Sequence, residues 1–393
     1  MTRPTRLVPL LSLAVLATAA PAEAVVASLS LTQPSAVAAG DPVTIQGTAP
    51  GASDGDPVEL IDAGSEAVLA GPVAVAGEQF SFTFAPSRNV QVRARSVDMP
   101  SVRSDPPVAV SVIPMVSVAL ADVRLFGDAL ISGTVQPAIY SGQAVVQLRN
   151  GSGVLNERTI NVSGGAFSTR LRVTKPGAQF ARVRLIETPD FLEAGADSSS
   201  KAPPLPNLRS GSRGIYVLLL ERRLRELSYK APKPDRRFTF KTGDAVMAFR
   251  KVQRQRRSRN VGAATWIALA SPRIPQAKFA SPRFHIEVDQ SRQVLYIVRE
   301  GQIRKILHVS TGGPGVGVTR NGRFRVWLKF PGFSPKGLYM PAFFDGQRGI
   351  HGWPQVPPVP ASHGCVRVPM WTAKWIYKQV RVGTVVRIYG RRR

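Results

Sequence analysis

A short text recurs in this chain after 86 to 87 residues, and that interval constrains the fold more than any other feature. Thr44-Ile45-Gln46-Gly47-Thr48 has its counterpart in Leu130-Ile131-Ser132-Gly133-Thr134 at an offset of 86. Gly77-Glu78-Gln79-Phe80-Ser81 matches Gly164-Gly165-Ala166-Phe167-Ser168 at an offset of 87. Around both copies lie short runs such as Val43-Thr44-Ile45, Val58-Glu59-Leu60, Phe80 to Phe84 and Val90 to Ala94, punctuated by Gly, Pro and Asp. Alternation at period two with regular turn signals predicts antiparallel sandwich strands from Ala27 to about Asp197.

The repeat has the size of one immunoglobulin-like sandwich, and the two copies resemble the bacterial Ig-like modules of secreted proteins. The expected units are residues 25–115 and 116–197. Neither holds a His, a Cys or an acidic cluster of ligand spacing, so they read as spacers or adhesion modules. The whole chain has 393 residues, which at about 150 per domain leaves room for two more. A hydrophobic fraction of 44% excludes disorder throughout, and one cysteine excludes a disulfide scaffold and a multi-cysteine zinc or iron–sulfur site.

Charge divides the chain in two. Residues 1–200 carry 14 Lys and Arg against 17 Asp and Glu, whereas residues 201–393 carry 38 against 8. Such asymmetry points to a polyanionic partner: nucleic acid, an acidic membrane surface or an anionic cell wall. The N-terminus selects among them. Arg3 and Arg6 precede an apolar run of 14 residues from Leu7 to Ala20, followed by Ala22-Glu23-Ala24. This pattern predicts a secretory signal over residues 1–24, too short for a transmembrane anchor. Export demotes nucleic acid and promotes the wall. The expected location is secreted, in a cell wall or periplasm, with no membrane span after cleavage.

A Ser, Ala and Pro-rich linker (198–206) leads to a helical period. Val217, Leu220, Leu224 and Leu227 fall at 3-4-3 spacing, and a second helix is expected from Thr242 as its N-cap through Phe249 to about Gln255. Residues 207–270 resemble the peptidoglycan-binding domain type 1 family in three features: Val217 to Tyr229, Thr242 to Phe249, and Thr265-Trp266-x-x-Leu269. The resemblance implies a small all-α three-helix domain that binds wall glycan. Lys251, Arg254, Arg256, Arg257 and Arg259 read either as a solvated face or as contacts to teichoic-type phosphates.

After a second linker (271–282) strand runs return: Phe284 to Val288, Val294 to Val298, Lys305 to Ser310 and Gly322 to Leu328. The only cysteine stands in Ser362-His363-Gly364-Cys365-Val366-Arg367, 14 residues after His351 in Gly349-Ile350-His351-Gly352. Imidazole near a thiol favours the nucleophilic thiolate. Gly364 leaves room for an acyl carbonyl, and the backbone N–H groups of Gly364 and Cys365 are candidate oxyanion donors. Pro354, Pro357, Pro358 and Pro360 stiffen the connection between the two groups. The residues alone leave open a buried structural cysteine and a Cys/His₂ metal site, the latter without a fourth ligand.

His351 and the Ser362 to Arg367 motif resemble the signature of YkuD-type L,D-transpeptidases. Supporting segments are Val288-Asp289-x-Ser291-x-Gln293-x-Leu295-Tyr296, Val309 to Gly312, Thr319-x-x-Gly322-x-Phe324, a helix over about Pro369 to Val380, and Gly383 to Val386. Two departures are Arg320, where the family commonly has Pro, and Gly352, where it often has Ser. The resemblance implies a mainly β catalytic domain over residues 283–390 with a C-terminal helix, and no metal or other cofactor. Cys365 would be the nucleophile and His351 the general base, oriented by a backbone carbonyl near Gly352. Ser362, His363 and Gly364 would shape the oxyanion pocket. Arg367 would hold the pocket or a stem-peptide carboxylate, or else a structural salt bridge. His285 and His308 read as ordinary strand residues. Implied partners are peptidoglycan stem peptides and glycan, with anionic wall polymers and no nucleic acid, for a monomeric enzyme. Implied reactions are 3→3 cross-linking, with L,D-carboxypeptidase action, wall-protein anchoring and a non-catalytic wall-binding protein as alternatives.

Overall fold

The computed structural model describes residues 1, 28–151, 153–313 and 315–391; the signal-like segment at 1–24 lies almost wholly outside them. Two β-sandwiches come first. In the first, a sheet of Ser30–Leu31, Val43–Thr48 and Gln79–Phe84 faces a sheet of Val68–Ala74, Pro57–Asp62, Val90–Ser96 and Val108–Val110. In the second, Met115–Ala121, Asp128–Gln136 and Ala166–Arg172 face Gly153–Val162, Gly142–Asn150, Phe180–Leu185 and Ala194–Asp197. Burial alternates residue by residue along Val43–Thr48 and Ala166–Arg172, as expected of strands with one face on a core.

The repeat has a physical reason. Gly47 pairs with Phe80 across one sheet, and Gly133 pairs with Phe167 at the equivalent place in the other. A Cβ on Gly47 would lie 2.3 Å from the Phe80 ring, and one on Gly133 would lie 2.4 Å from the Phe167 ring. Each glycine thus leaves the space that a cross-strand phenylalanine covers.

Three helices follow: α1 (Ile215–Glu226), α2 (Phe240–Val252) and α3 (Ala263–Ala270). The second starts earlier than expected. Thr239 takes the N-cap place, while the Thr242 hydroxyl accepts the Thr239 N–H at 3.3 Å and donates to buried Glu221 at 2.6 Å. Thr242 therefore ties two helices together inside the first turn.

The C-terminal part holds two sheets and α4 (Met370–Gln379). One sheet has the order Gln302–His308, Val294–Arg299, Phe284–Asp289, Val385–Tyr389, Gly322–Arg325. The other has the order Leu328–Lys329, Tyr339–Asp345, Arg348–Trp353, Val366–Pro369, and its last pair is parallel. Val294 to Val298 is buried at every position because the sheet is covered on both faces. Leu295 and Ile297 join the core of the C-terminal part, whereas Val294, Tyr296 and Val298 pack into the core shared by the helices and the second sandwich.

Both expected linkers are bonded down. Gln179 and Lys201 exchange two backbone hydrogen bonds at 2.8 and 2.9 Å. The N–H groups of Lys278 and Phe279 donate to the Glu287 carboxylate at 3.0 and 2.9 Å. Compositional softness marks a chain without its own core, and here neighbouring domains supply the contacts. No helix among the described residues is long and apolar enough to cross a membrane.

Candidate active site

The parallel pair Arg348–Trp353 and Val366–Pro369 sets the site. His351 lies opposite Arg367 in the register, so the cysteine just before the second strand is held beside the start of the first. The thiol of Cys365 donates to the Gln347 carbonyl at 3.8 Å. His351 is 2% exposed, and its Nδ1 lies 3.0 Å from the Gly352 carbonyl. A carbonyl only accepts, so Nδ1 carries the proton and Nε2 is left as the basic nitrogen.

A tight turn presents the sulfur. Gly364 has φ of 110°, in the region that favours glycine. Ser362 is buried; its hydroxyl donates to the Cys365 carbonyl at 2.5 Å and accepts the Gly364 N–H at 3.2 Å. The Gly364 amide is therefore committed inside the turn, which differs from the reading that made it an oxyanion donor. His363 is exposed, and its backbone is closely approached by Gly317, where a Cβ would meet the His363 carbonyl carbon at 2.6 Å. Gly352 has no room for a side chain either, since a Cβ would lie 2.8 Å from Ala373 of α4 and 3.0 Å from Tyr339. That crowding explains glycine at a place where the resembled family often has serine.

Residues 283–388 match the family described as the YkuD L,D-transpeptidase catalytic domain. This segment is an L,D-transpeptidase catalytic domain. Among solved structures, an L,D-transpeptidase from Xylanimonas cellulosilytica is 31% identical, with 48% of this chain and 99% of that one covered and a TM-score of 0.44. One from Stackebrandtia nassauensis is 24% identical, with 49% and 98% covered and a TM-score of 0.32. The catalytic domain of the Enterococcus faecium L,D-transpeptidase is 24% identical, with 28% and 99% covered and a TM-score of 0.25. No curated protein matches the chain.

Within the transpeptidase domain, burial dominates the electrostatics. It pushes the His351 imidazole down to about 4, assisted by Arg367 and opposed by the bond to Gly352. It also pushes the Cys365 thiol up, opposed by the Gly349 N–H and then by Arg367, Arg348 and Lys336. The resting pair is thus neutral thiol and neutral imidazole. Sequence spacing suggested a thiolate, but spacing carries no information about desolvation.

Arg367 stacks over Trp353, with its guanidinium carbon 4.9 Å from the ring centroid, and Trp353 meets the His351 ring edge-on at 5.6 Å. Among the described residues no carboxylate forms a salt bridge with Arg367, so the structural salt bridge held open as an alternative is absent there. Three contributors had no role assigned from the sequence, although Thr319 stood in one of the segments that carry the resemblance. Thr319, fully buried, donates to the Gly364 carbonyl at 2.8 Å and accepts the Gly312 N–H at 2.8 Å. Arg348 approaches Gly364 and donates to Asp345 at 3.0 Å, and Lys336 pairs with Gln347. Arg320 holds the other side of Asp345. The departure of Arg320 from the family pattern was the available signal for this ion-pair group.

The proline-rich loop is held both from within the domain, by His308 and Ser310, and from outside it, by Arg257 and Arg259. The Val356 carbonyl accepts from His308 Nε2 and from Arg259, each at 3.0 Å. The Pro358 carbonyl accepts from Arg257 at 2.8 Å, and the Val359 carbonyl from Ser310 at 2.7 Å. Lys251 is 2% exposed and gives its three N–H bonds to Gln293 O at 3.0 Å, Val309 O at 2.9 Å and His308 Nδ1 at 2.6 Å. Lys251, Arg257 and Arg259 are therefore no solvated face. His285 is internal too, 3.1 Å from buried Glu287.

Proposed function

We propose that the chain is a peptidoglycan L,D-transpeptidase that forms 3→3 cross-links through a thioester on Cys365. The observation that carries this is the His351 ring, buried, neutral and fixed by Gly352, on the strand paired with the one that Cys365 leads into. His351 Nε2 takes the thiol proton as the sulfur attacks the carbonyl of residue three of a tetrapeptide stem. A group that is neutral at rest can accept that proton throughout the ordinary pH range. The tetrahedral oxyanion is met by the Cys365 N–H, and the imidazolium returns its proton to the departing D-Ala amine. A diamino-acid amine of a second stem then attacks the thioester, loses its proton to His351, and the thiol is restored. Arg367 binds a stem carboxylate.

The reading extends to the rest of the chain as a proposal: export directed by residues 1–24, two Ig-like modules as a spacer, and a helical module that keeps the enzyme at the wall.

The test is product analysis with disaccharide-tetrapeptide as donor and acceptor. D-Ala release with a 3→3 dimer is expected for the wild type and neither product for Cys365→Ala. Tripeptide without dimer would replace this reading with L,D-carboxypeptidase action.

A further inference from the structure

An open cleft of about 550 Å³ lies between the end of α2 and one end of the catalytic sheet, and Cys365 is not among the residues that line it. Its charged lining consists of Lys251, Arg254, Arg257, Arg292 and Arg391, with no acidic side chain among them. These cations come from the last turn of α2, the loop after it, the turn after Phe284–Asp289, and the end of the last strand.

Their hydrogen bonds are largely met, but their charge is not. Lys251 is satisfied by two carbonyls and a neutral imidazole, and Arg257 by the carbonyls of Pro358 and Ser291. Neutral acceptors satisfy donors without cancelling a positive charge. Only Arg292 has a carboxylate on it, that of Asp289. Arg254 and Arg391 are exposed and aim no side-chain donor at a protein acceptor among the described residues. Lys251 is buried, and burial first and then Arg257 and Arg259 push it well below the usual lysine range, so the charge offered to the cleft is that of Arg254, Arg257, Arg292 and Arg391.

We infer that this cleft is a binding site for a phosphate-bearing polyanion. Guanidinium forks favour oxyanions, and a carboxylate presents two coplanar oxygens suited to one fork. Here the cations converge from four segments and different directions, which suits the tetrahedral oxygens of phosphate. A space of this volume admits a chain segment with more than one such group. The site is separate from the transpeptidase centre, so its occupant is a tether or effector, not the acyl donor.

The experiment is calorimetric titration of the full chain with inorganic tripolyphosphate. Arg254→Glu/Arg391→Glu is compared with Arg158→Glu/Arg170→Glu, an equal change of charge on exposed arginines of the second sandwich. The cleft pair is expected to weaken binding about tenfold or more, with the sandwich pair close to wild type. Acylation of Cys365 by a carbapenem should be the same in all three proteins and reports that each is folded. No binding by the wild type, or an equal loss in both pairs, overturns the site. Oligoglutamate of matched charge binding as tightly as tripolyphosphate overturns the assignment to phosphate.

Discussion

The two sandwiches are copies of one repeat, yet they sit in the molecule differently. The first closes a core of its own, built on Ile45, Leu60, Phe82 and Val92. Apart from Ala39 and Val112, its buried apolar residues stay out of the neighbouring core. It meets the second through Asn89, whose backbone and side chain bond the carbonyls of Asp190 at 2.7 Å and Pro189 at 3.1 Å, and through the Val112 carbonyl, which accepts the Leu192 N–H at 3.0 Å. The second sandwich does not close. Phe126 stacks near Trp266 of α3 at 6.2 Å and lies under Arg223 of α1 at 5.1 Å, and one apolar cluster runs from Ile131 through Leu220 to Tyr296 of the catalytic sheet. The Gly–Phe pair that makes the copies alike decides how each sandwich folds. Residues outside the repeat decide what each is welded to.

That contrast can be broken at the weld first. Trp266 is 1% exposed and donates to the Pro206 carbonyl at 2.8 Å. Trp266→Ala should remove about 3–5 kcal/mol from the unit spanning residues 114–391 and leave the first sandwich's transition in place, as calorimetry would resolve. Next comes Lys251→Met, which strands three buried acceptors. A loss of about 3 kcal/mol is expected, with a fall in the rate of Cys365 acylation as the Val356 to Pro358 loop loosens.

The glycine pair sharpens the comparison further. Gly133→Ala and Gly47→Ala should each cost about 1–3 kcal/mol through overpacking. The two differ in consequence. The first should lower the melting of the catalytic unit and the temperature at which acylation fails, whereas the second should lower only the first transition.

The smallest effect should follow removal of residues 28–113: an unchanged acylation rate and pH profile. With His351 held at about 4, the base is neutral above that pH, so the acid limb should lie near 4 with no inflection near 6.5. With the thiol pushed up, the neutral pair persists above that limb, so the rate should stay level through pH 9. A stopped-flow profile of carbapenem acylation from pH 3 to 9 checks the limb and the plateau.

Much of this was legible before any coordinates. The Ser362 to Arg367 motif with His351 pointed to the family whose catalytic domain residues 283–388 match, because its residue types are demanded by chemistry. The run Val294 to Val298 was legible as a strand, but its burial on both faces depends on the helices and second sandwich packed against it. For the cationic stretch 250–259 the sequence left a solvated face and phosphate contacts both open, because a charge count says nothing about partners. Lys251 points inward only because Gln293, Val309 and His308 lie far along the chain and converge on it. Thiol and imidazole ionisation was likewise out of reach, since desolvation is a property of the packed fold. Arg348 and Lys336 reach Cys365 through the hairpin around Asp345, and nothing in their local text marks them.

Cys365 acting as the nucleophile, with His351 as its base, is tested most directly by intact-protein mass spectrometry with a carbapenem. The wild type should gain one adduct, mapped to Cys365; Cys365→Ala should gain none, and His351→Ala should gain it far more slowly. An adduct that persists in Cys365→Ala, or none on the folded wild type, would contradict the account.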